Sequence, residues 1–471
     1  MTRPPTRALA PHPDRLFPAD PSTRAIARRL YARVRDLPIV SPHGHTDPAW
    51  FAGNRPFANA ATLLVTPDHY LLRMLYSLGV PLDAMGIGAD AEPDPAAIWR
   101  RFAAHYPAFA GTPSQLWLDH VFHTLFGIEV RLDATTADFY YERINAALQT
   151  DAMRPRALFE RMGIEVLATT ESPLDDLRHH RSLRDAPWSG RVITTFRPDE
   201  VVDPDTPDFA ARLDALGALT GEDTHGWRGY LAALRRRRAD FKALGATATD
   251  HGHPSALTAD LSASECERLF AGARAGTLAP AQAEVFRGQM LTEMAAMSCD
   301  DGLVMQLHPG AVRNHNPQLF ARYGRDRGAD IPQRTDYVHA LKPLLDRYGN
   351  RTDFTLIVFT LDESTYAREL APMAGHYPAL KLGPPWWFHD SPEGMLRYRR
   401  QTTETAGFFN TAGFNDDTRA FLSIAARHDV ARRMDCRFLA EWVAEHRIDE
   451  DQAAELAPQL AYTLAKKAYR L

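Results

Sequence analysis

Two hydrophobic periodicities alternate along this chain. Short apolar runs rich in β-branched residues recur as PIV (38–40), IEVLATT (164–170), RVITTFR (191–197) and ATATD (246–250). They continue as GLVMQLH (302–308), FTLIVFT (354–360), ALKLG (379–383) and FFNTAGF (408–414). Most are continuous runs rather than strict alternations, as strands buried on both faces should be. Between them lie longer stretches with apolar residues at helical spacing. Ser22 is the predicted N-cap of the first helix, over RAIARRLYARVRDL. Eight strands alternating with helices predict a parallel sheet with right-handed crossovers, closed as a (β/α)8 TIM-type barrel.

The interval from Asp47 to Gly163 is too long for one crossover. Its segments DHYLLRMLYSLGV, AAIWRRFAAHY and SQLWLDHVFHTLFGI are helical in pattern. They predict a helical insertion after strand one, about 47–163, on the active-site side. The expected organisation is an N-terminal arm and helix over 1–37, then the barrel over 38–471. The run Arg235–Arg238 is read as a solvated helix face, since four consecutive residues point all round a helix.

The segments just beyond the strands read HGHTDP, TESP, RPDE, DHGH, HPGAVRNHN, LDES, PPWWFHD and NDDTR, and they hold seven of the 19 histidines. In a barrel these C-terminal strand ends form the active face. His43 and His45 stand at i and i+2 after strand one, where both imidazoles can reach one metal. Asp417, after the last strand, would complete the set. Two imidazoles and a carboxylate suit one divalent ion, expected as Zn2+, with Mn2+ or Fe2+ fitting nearly as well.

Composition narrows the class. Hydrophobic residues at 45 % and charged residues at 24 % are ordinary for a soluble globular chain, and a net charge of −5 gives no basic field for nucleic acid. Arginine outnumbers lysine 49 to 5, which is read as genome composition. Cys266, Cys299 and Cys436 share no CxxC spacing, so a disulfide framework or zinc ribbon is not expected. The start lacks the apolar core of a secretory signal, and the longest apolar run, Phe354 to Leu361, is far short of a membrane span. The expectation is a cytoplasmic protein with no nucleic-acid or membrane partner. Its insertion offers surface for self-association into a homo-oligomer.

The first-strand HxH, the barrel and the last-strand aspartate resemble the amidohydrolase superfamily. DHYLLRML (68–75), TTESPLDDLRHH (169–180), TFRPD (195–199), TDHGH (249–253), QLHPGAVRNHN (306–316), GPPWWFHDSPEGM (383–395) and GFNDDTRAFLS (413–423) narrow the resemblance to the uronate (glucuronate) isomerase family. It spans about Arg15 to Lys467. Glu171-Ser172 departs from the family's usual aspartate pair after TT, and Thr46-Asp47 gives the HxH an unusual setting.

The resemblance implies an aldose–ketose isomerase acting on a small sugar acid, D-glucuronate to D-fructuronate and D-galacturonate to D-tagaturonate, through an enediolate. That chemistry needs a base over C2, a cation or donor on the carbonyl oxygen, and an anchor for the carboxylate. Asp417, with any metal-bound water it holds, is the candidate for proton transfer. Arg419 and Tyr70 would share the polarising role. Arg197 and Arg313 are candidates for a bidentate grip on the carboxylate. His308 is either a third imidazole near the metal or a partner for a sugar hydroxyl. Trp386 and Trp387 would give a flat wall for the ring, one at most facing the site. His389 and Asp390 are expected to support the site from behind. His251 and His253 are divided evenly between structure and site, and Asp250 is weighed as a helix cap. The competing readings are a mononuclear metal-dependent hydrolase of the same superfamily and a catalytically silent sugar-acid binder.

Overall fold

Many helices of this chain begin with the same local device. An Asp, Asn, Ser or Thr caps the first turn and a proline follows at once, as at Asp47-Pro48, Asp94-Pro95, Thr112-Pro113, Asn316-Pro317 and Ser391-Pro392. The side-chain oxygen takes up a free backbone N–H, and proline supplies the helical φ where no donor is needed. The first helix, Pro21–Val34, follows this rule with Asp20 as its cap, accepting from the Thr23 N–H at 2.8 Å. Ser22, the expected cap, sits inside the first turn and donates to Asp20. The structure, a computed structural model, describes residues 7–471. The first six positions of the arm expected over 1–37 therefore lie outside the described residues.

Among the described residues nine strands form in chain order: β1 (Ile39–Ser41), β2 (Ile164–Glu171), β3 (Arg191–Phe196), β4 (Ala248–His251), β5 (Val304–Leu307), β6 (Ala311–Val312), β7 (Ile331–Pro332), β8 (Leu356–Val358) and β9 (Leu380–Leu382). Seven of them make one parallel sheet in the order β1-β2-β3-β4-β5-β8-β9, while β6 and β7 pair as a separate antiparallel hairpin. That hairpin was not expected from the sequence. Parallel pairing brings all seven carboxyl ends to one face, as a TIM-type barrel requires.

The eighth strand position is filled more sparely than the run 408–414 predicts. Thr411 makes a single parallel bridge to Leu382, and Gly413 then takes a positive φ of 75°. A Cβ on Gly413 would stand 2.6 Å from the Ala465 backbone nitrogen, so the C-terminal helix Leu464–Ala468 packs where side chains of a longer strand would go. The ring is completed beyond this point, where the His45 N–H donates to the Thr418 carbonyl at 3.0 Å.

The C-terminus plugs the barrel. Ala465 packs among Val40, Val166 and Ile193, and Tyr469 lies fully buried among Ala248, Val304 and Ile357. The Tyr469 hydroxyl donates to Gln306 at 2.9 Å and accepts from Asn415 at 3.1 Å, so its polar end is satisfied within the core.

Seven α-helices occupy the chain between β1 and β2. Trp99, Phe102, Phe122 and Tyr140 form their common aromatic core. Asp47, in the unusual setting after the HxH, is the cap of the helix Pro48–Gly53. The Pro21–Val34 helix buries Ala27, Leu30 and Val34 with residues of the helix Ile424–Ala444.

The arginine run is half solvated and half structural. Arg235 and Arg236 are exposed, but Arg237 and Arg238 are buried. Arg237 donates to the Pro173 and Asp175 carbonyls at 2.8 Å, and Arg238 binds Asp301 at 2.6 Å and Ser298 at 2.9 Å. Reading the whole run as a solvated face was therefore wrong. An inward-facing arginine is accommodated because carbonyls and a carboxylate complete its fork.

Candidate active site

At the carboxyl ends of the strands a cavity of about 380 Å³ opens, a size suited to one small ligand. Every site residue expected from the sequence lines it: His43, His45, Tyr70, Arg197, His308, Arg313, Trp386, Trp387, Asp417 and Arg419. His43 and His45 lie just beyond the end of β1 rather than on it. The two rings meet edge to face, with centroids 5.2 Å apart.

Asp417 is the hub. Its backbone holds a positive φ of 36°, strained for a residue with a side chain, in the turn that carries it past the eighth strand position. Its Oδ1 lies 3.2 Å from His45 Nε2 and 3.5 Å from His43 Nε2. One ligand atom each of His43, His308 and Asp417 lies within 4.8 Å of the others. Burial pushes the His43 imidazole down to about 4, so it is neutral and able to ligate. Burial also opposes charge on Asp417, but the surrounding imidazoles hold it well below the usual carboxylate range. The buried His308 Nε2 has no protein partner, which leaves a donor atom aimed into this cluster. Two or three imidazole nitrogens and a carboxylate are a donor set that fits one divalent ion.

Asp250, weighed above as a helix cap, belongs to the site instead. It sits at the end of β4, fully buried, and pairs with His308 Nδ1 at 2.7 Å and Arg197 Nη1 at 3.0 Å. Burial disfavours its charge, yet Arg197 and His308 hold its pKa well below normal. Arg197 also donates Nε to Asp199 at 2.8 Å. Two carboxylates thus occupy much of its fork, and a bidentate grip on a further anion has little of it left. Arg313 keeps more freedom: Nη1 holds Asp330 at 2.8 Å while the guanidinium lies over Trp387 at 5.3 Å. Arg419 stands 3.4 Å from Asp326.

Tyr70 reaches the cavity from the helix His69–Ser77, which lies between β1 and β2. Its hydroxyl is within reach of Asp390 at 2.9 Å and the Trp387 carbonyl at 3.0 Å, while Arg427 lies over its ring. Burial, with Asp390 beside it, raises the phenol well above its ordinary value, so Tyr70 is a donor here. Asp390, itself pushed up to about 6 by burial, also accepts from Arg427 at 2.8 Å. His389 contacts the Leu361 carbonyl at 2.9 Å.

Both tryptophans line the cavity, where at most one was expected. Consecutive side chains on extended backbone point apart, but Trp387 adopts a φ of +51°, and this kink lets both reach the wall. Trp386 packs edge to face on His308 at 4.7 Å.

The sequence reading missed His69, Arg325, Asp326 and Asp330, all of which line the cavity. The last three come from the segment that joins β6 to β7. No lysine lines the cavity among the described residues, and Lys381 binds Asn410 at 2.9 Å instead. Asp330 is paired with Arg313 and Asp326 with Arg419, while Asp199 and Asp250 share Arg197.

Glu171 is neutralised differently. It is buried at the end of β2, accepts from the Thr194 hydroxyl, and is pushed up to about 8 by burial. A carboxyl whose folded pKa exceeds its unfolded value stabilises fully below the unfolded pKa, and that contribution is lost as pH rises through the folded one. Glu171 should therefore contribute a decline of up to about 1.4 kcal/mol per pH unit between roughly pH 4.5 and 8. Denaturant titrations across that range should show the decline flattened in Glu171→Gln.

Comparison with known proteins follows the same direction. The family model described as glucuronate isomerase matches residues 22–469. A uronate isomerase of Xanthomonas campestris pv. campestris is 68% identical, covering 98% of each chain. A solved glucuronate isomerase from Caulobacter crescentus superposes with a TM-score of 0.97 at 60% identity, covering 98% of each chain. One from Thermotoga maritima, described as a uronate isomerase, gives 0.92 at 26% identity, over 98% of this chain and 99% of the other.

Proposed function

The chain belongs to the glucuronate isomerase family, and from that premise we propose that it interconverts D-glucuronate and D-fructuronate, and D-galacturonate and D-tagaturonate. The observation that carries the reading is the juxtaposition of a partly buried, anionic Asp417 with the Arg419 cation in one cavity for a small ligand.

Proton transfer between C2 and C1 passes through an enediolate, so one group must remove a proton and return it to the neighbouring carbon. Asp417 is that group: a carboxylate at neutral pH, fixed by two imidazoles and reachable from the cavity. Arg419 holds a permanent positive charge against the oxygen that becomes negative. Tyr70 adds a neutral hydrogen bond to the same oxygen, turning its proton from Asp390. Arg313 anchors the C6 carboxylate, with Arg197 contributing what its two carboxylates leave free. Trp386 and Trp387 form the wall for the sugar ring, and His308, oriented by Asp250, stands beside them.

His43, His45 and Asp417 would hold one divalent ion, with His308 at its side, and Zn2+ suits the donors. Bound there, the ion supplies Lewis-acid polarisation and fixes Asp417 in place. No helix of the described residues is long and apolar enough to cross a membrane. A reducing, cytoplasmic compartment accords with Cys266 and Cys436 as buried free thiols.

The direct test offers D-glucuronate and D-galacturonate to purified enzyme and follows ketose formation. Ketose from either supports the reading; hydrolysis of lactones or amides with no ketose would transfer the chain to the hydrolase alternative. Replacing Arg313 with glutamine should lower kcat/KM for uronates by roughly 10- to 100-fold, from the loss of one charged hydrogen bond. The matching neutral aldoses should be much less affected, and equal losses on both would remove Arg313 as the anchor.

A further inference from the structure

The sequence His-Gly-His occurs twice, after β1 at 43–45 and across the end of β4 at 251–253. The proposed reaction uses only the first. Successive residues of a strand face opposite sides, so Asp250 turns to His308 and Arg197 while His251 turns away from them. On that other side, one ligand atom each of His251, His253 and Asp199 lies within 4.8 Å of the others. We propose that Asp199, His251 and His253 form a second divalent-cation site, distinct from the His43 and Asp417 cluster.

The hydrogen bonding of these residues supports a ligand rather than a structural role. Both nitrogens of His253 are buried without a protein partner, although the residue is only 4 % exposed. An imidazole paired for structure alone would have at least one of them bonded. His251 is fully buried, and its Nε2 lies 3.1 Å from the Thr249 hydroxyl, which itself faces the Val304 carbonyl. That relay assigns the ring proton to Nε2 and leaves Nδ1, which has no partner, as a free lone pair. Burial keeps both rings in the neutral, ligating form.

Asp199 supplies the anionic oxygen and the way in. It lines the active-site cavity, so an ion can reach it from there. Its carboxylate also accepts from the Gly252 N–H at 3.1 Å and from Arg197. The positive charge of Arg197 is balanced by Asp250, and Asp203 and Glu284 on Arg287 add negative charge around His253. Two nitrogens and an oxygen suit Zn2+. An ion bound here ties the segment after β3 to the end of β4 and fixes Asp199, the partner of Arg197.

Zn2+ is the probe. Protein stripped with chelator and reloaded is crystallised, and anomalous scattering at the zinc edge is mapped. A peak enclosed by Asp199, His251 and His253 is expected; its absence at saturating Zn2+ overturns the proposal and assigns those nitrogens to water. In solution, His253→Gln should bind one zinc fewer per chain than the unmodified protein, by elemental analysis, and an unchanged count contradicts the site. Should that variant fail to fold, the anomalous map of the unmodified protein still decides. Loss of the ion at His43 and Asp417 would appear separately, as a missing peak at that cluster.

Discussion

Replacing Asp417 with asparagine should lower turnover by roughly 10²- to 10⁴-fold while the protein remains folded. The side chain keeps its size, and its amide oxygen still faces His43 and His45, so the fold loses little. What disappears is a basic carboxylate oxygen with two imidazoles beside it, at 3.2 and 3.5 Å. The loss should appear in kcat and kcat/KM together, because the proton moves only in the transition state. Circular dichroism and a melting curve check folding. Activity within a few-fold of the unmodified enzyme would remove Asp417 from the mechanism.

Arg419→Met should lower turnover by roughly 10²- to 10³-fold, the scale for losing one preorganised group that stabilises a developing oxyanion. Methionine conserves much of the stem, so packing changes little. The cation is only partly neutralised in the resting site, since Asp326 stands 3.4 Å away and Arg419 remains partly exposed to the cavity. Its charge is thus available to an oxygen that becomes negative during the reaction. The split between kcat and KM is the measurement: a rise in KM with kcat unchanged would reassign Arg419 to ground-state binding of the carboxylate.

These two residues were legible because they sit in short segments just beyond predicted strands, where a barrel concentrates its chemistry. The His43-His45 spacing was legible for the same reason. Asp250 was not, because an aspartate at a strand end reads equally as a cap, and only its contacts with His308 and Arg197 decide. Arg325, Asp326 and Asp330 lie far from any predicted strand end. They enter the cavity through the β6–β7 hairpin, whose two-residue strands leave almost no periodic signal.

The fold was readable to a similar depth. Seven strands lie in or close to their predicted runs, since buried parallel strands are apolar throughout. The eighth is a single bridge because the C-terminal helix occupies its side of the sheet, a contact between distant segments that no local pattern carries. Tyr469 belongs to the same contact: it is fully buried among Ala248, Val304 and Ile357, which local pattern does not encode. Arg237 and Arg238 reverse a charge-based expectation through partners at Pro173 and Asp301, more than 60 residues away.

The central claim is that Asp417 moves a proton between C2 and C1. Its most direct test is a proton NMR time course in D₂O with D-glucuronate and metal-replete enzyme. D-Fructuronate should carry deuterium at C1, because a carboxyl that protonates the enediolate from a cavity open to solvent exchanges before it returns its proton. Complete transfer of the C2 hydrogen to C1, with no solvent deuterium at any conversion, would contradict a solvent-exchanging Asp417 and leave either a shielded proton transfer or a hydride shift.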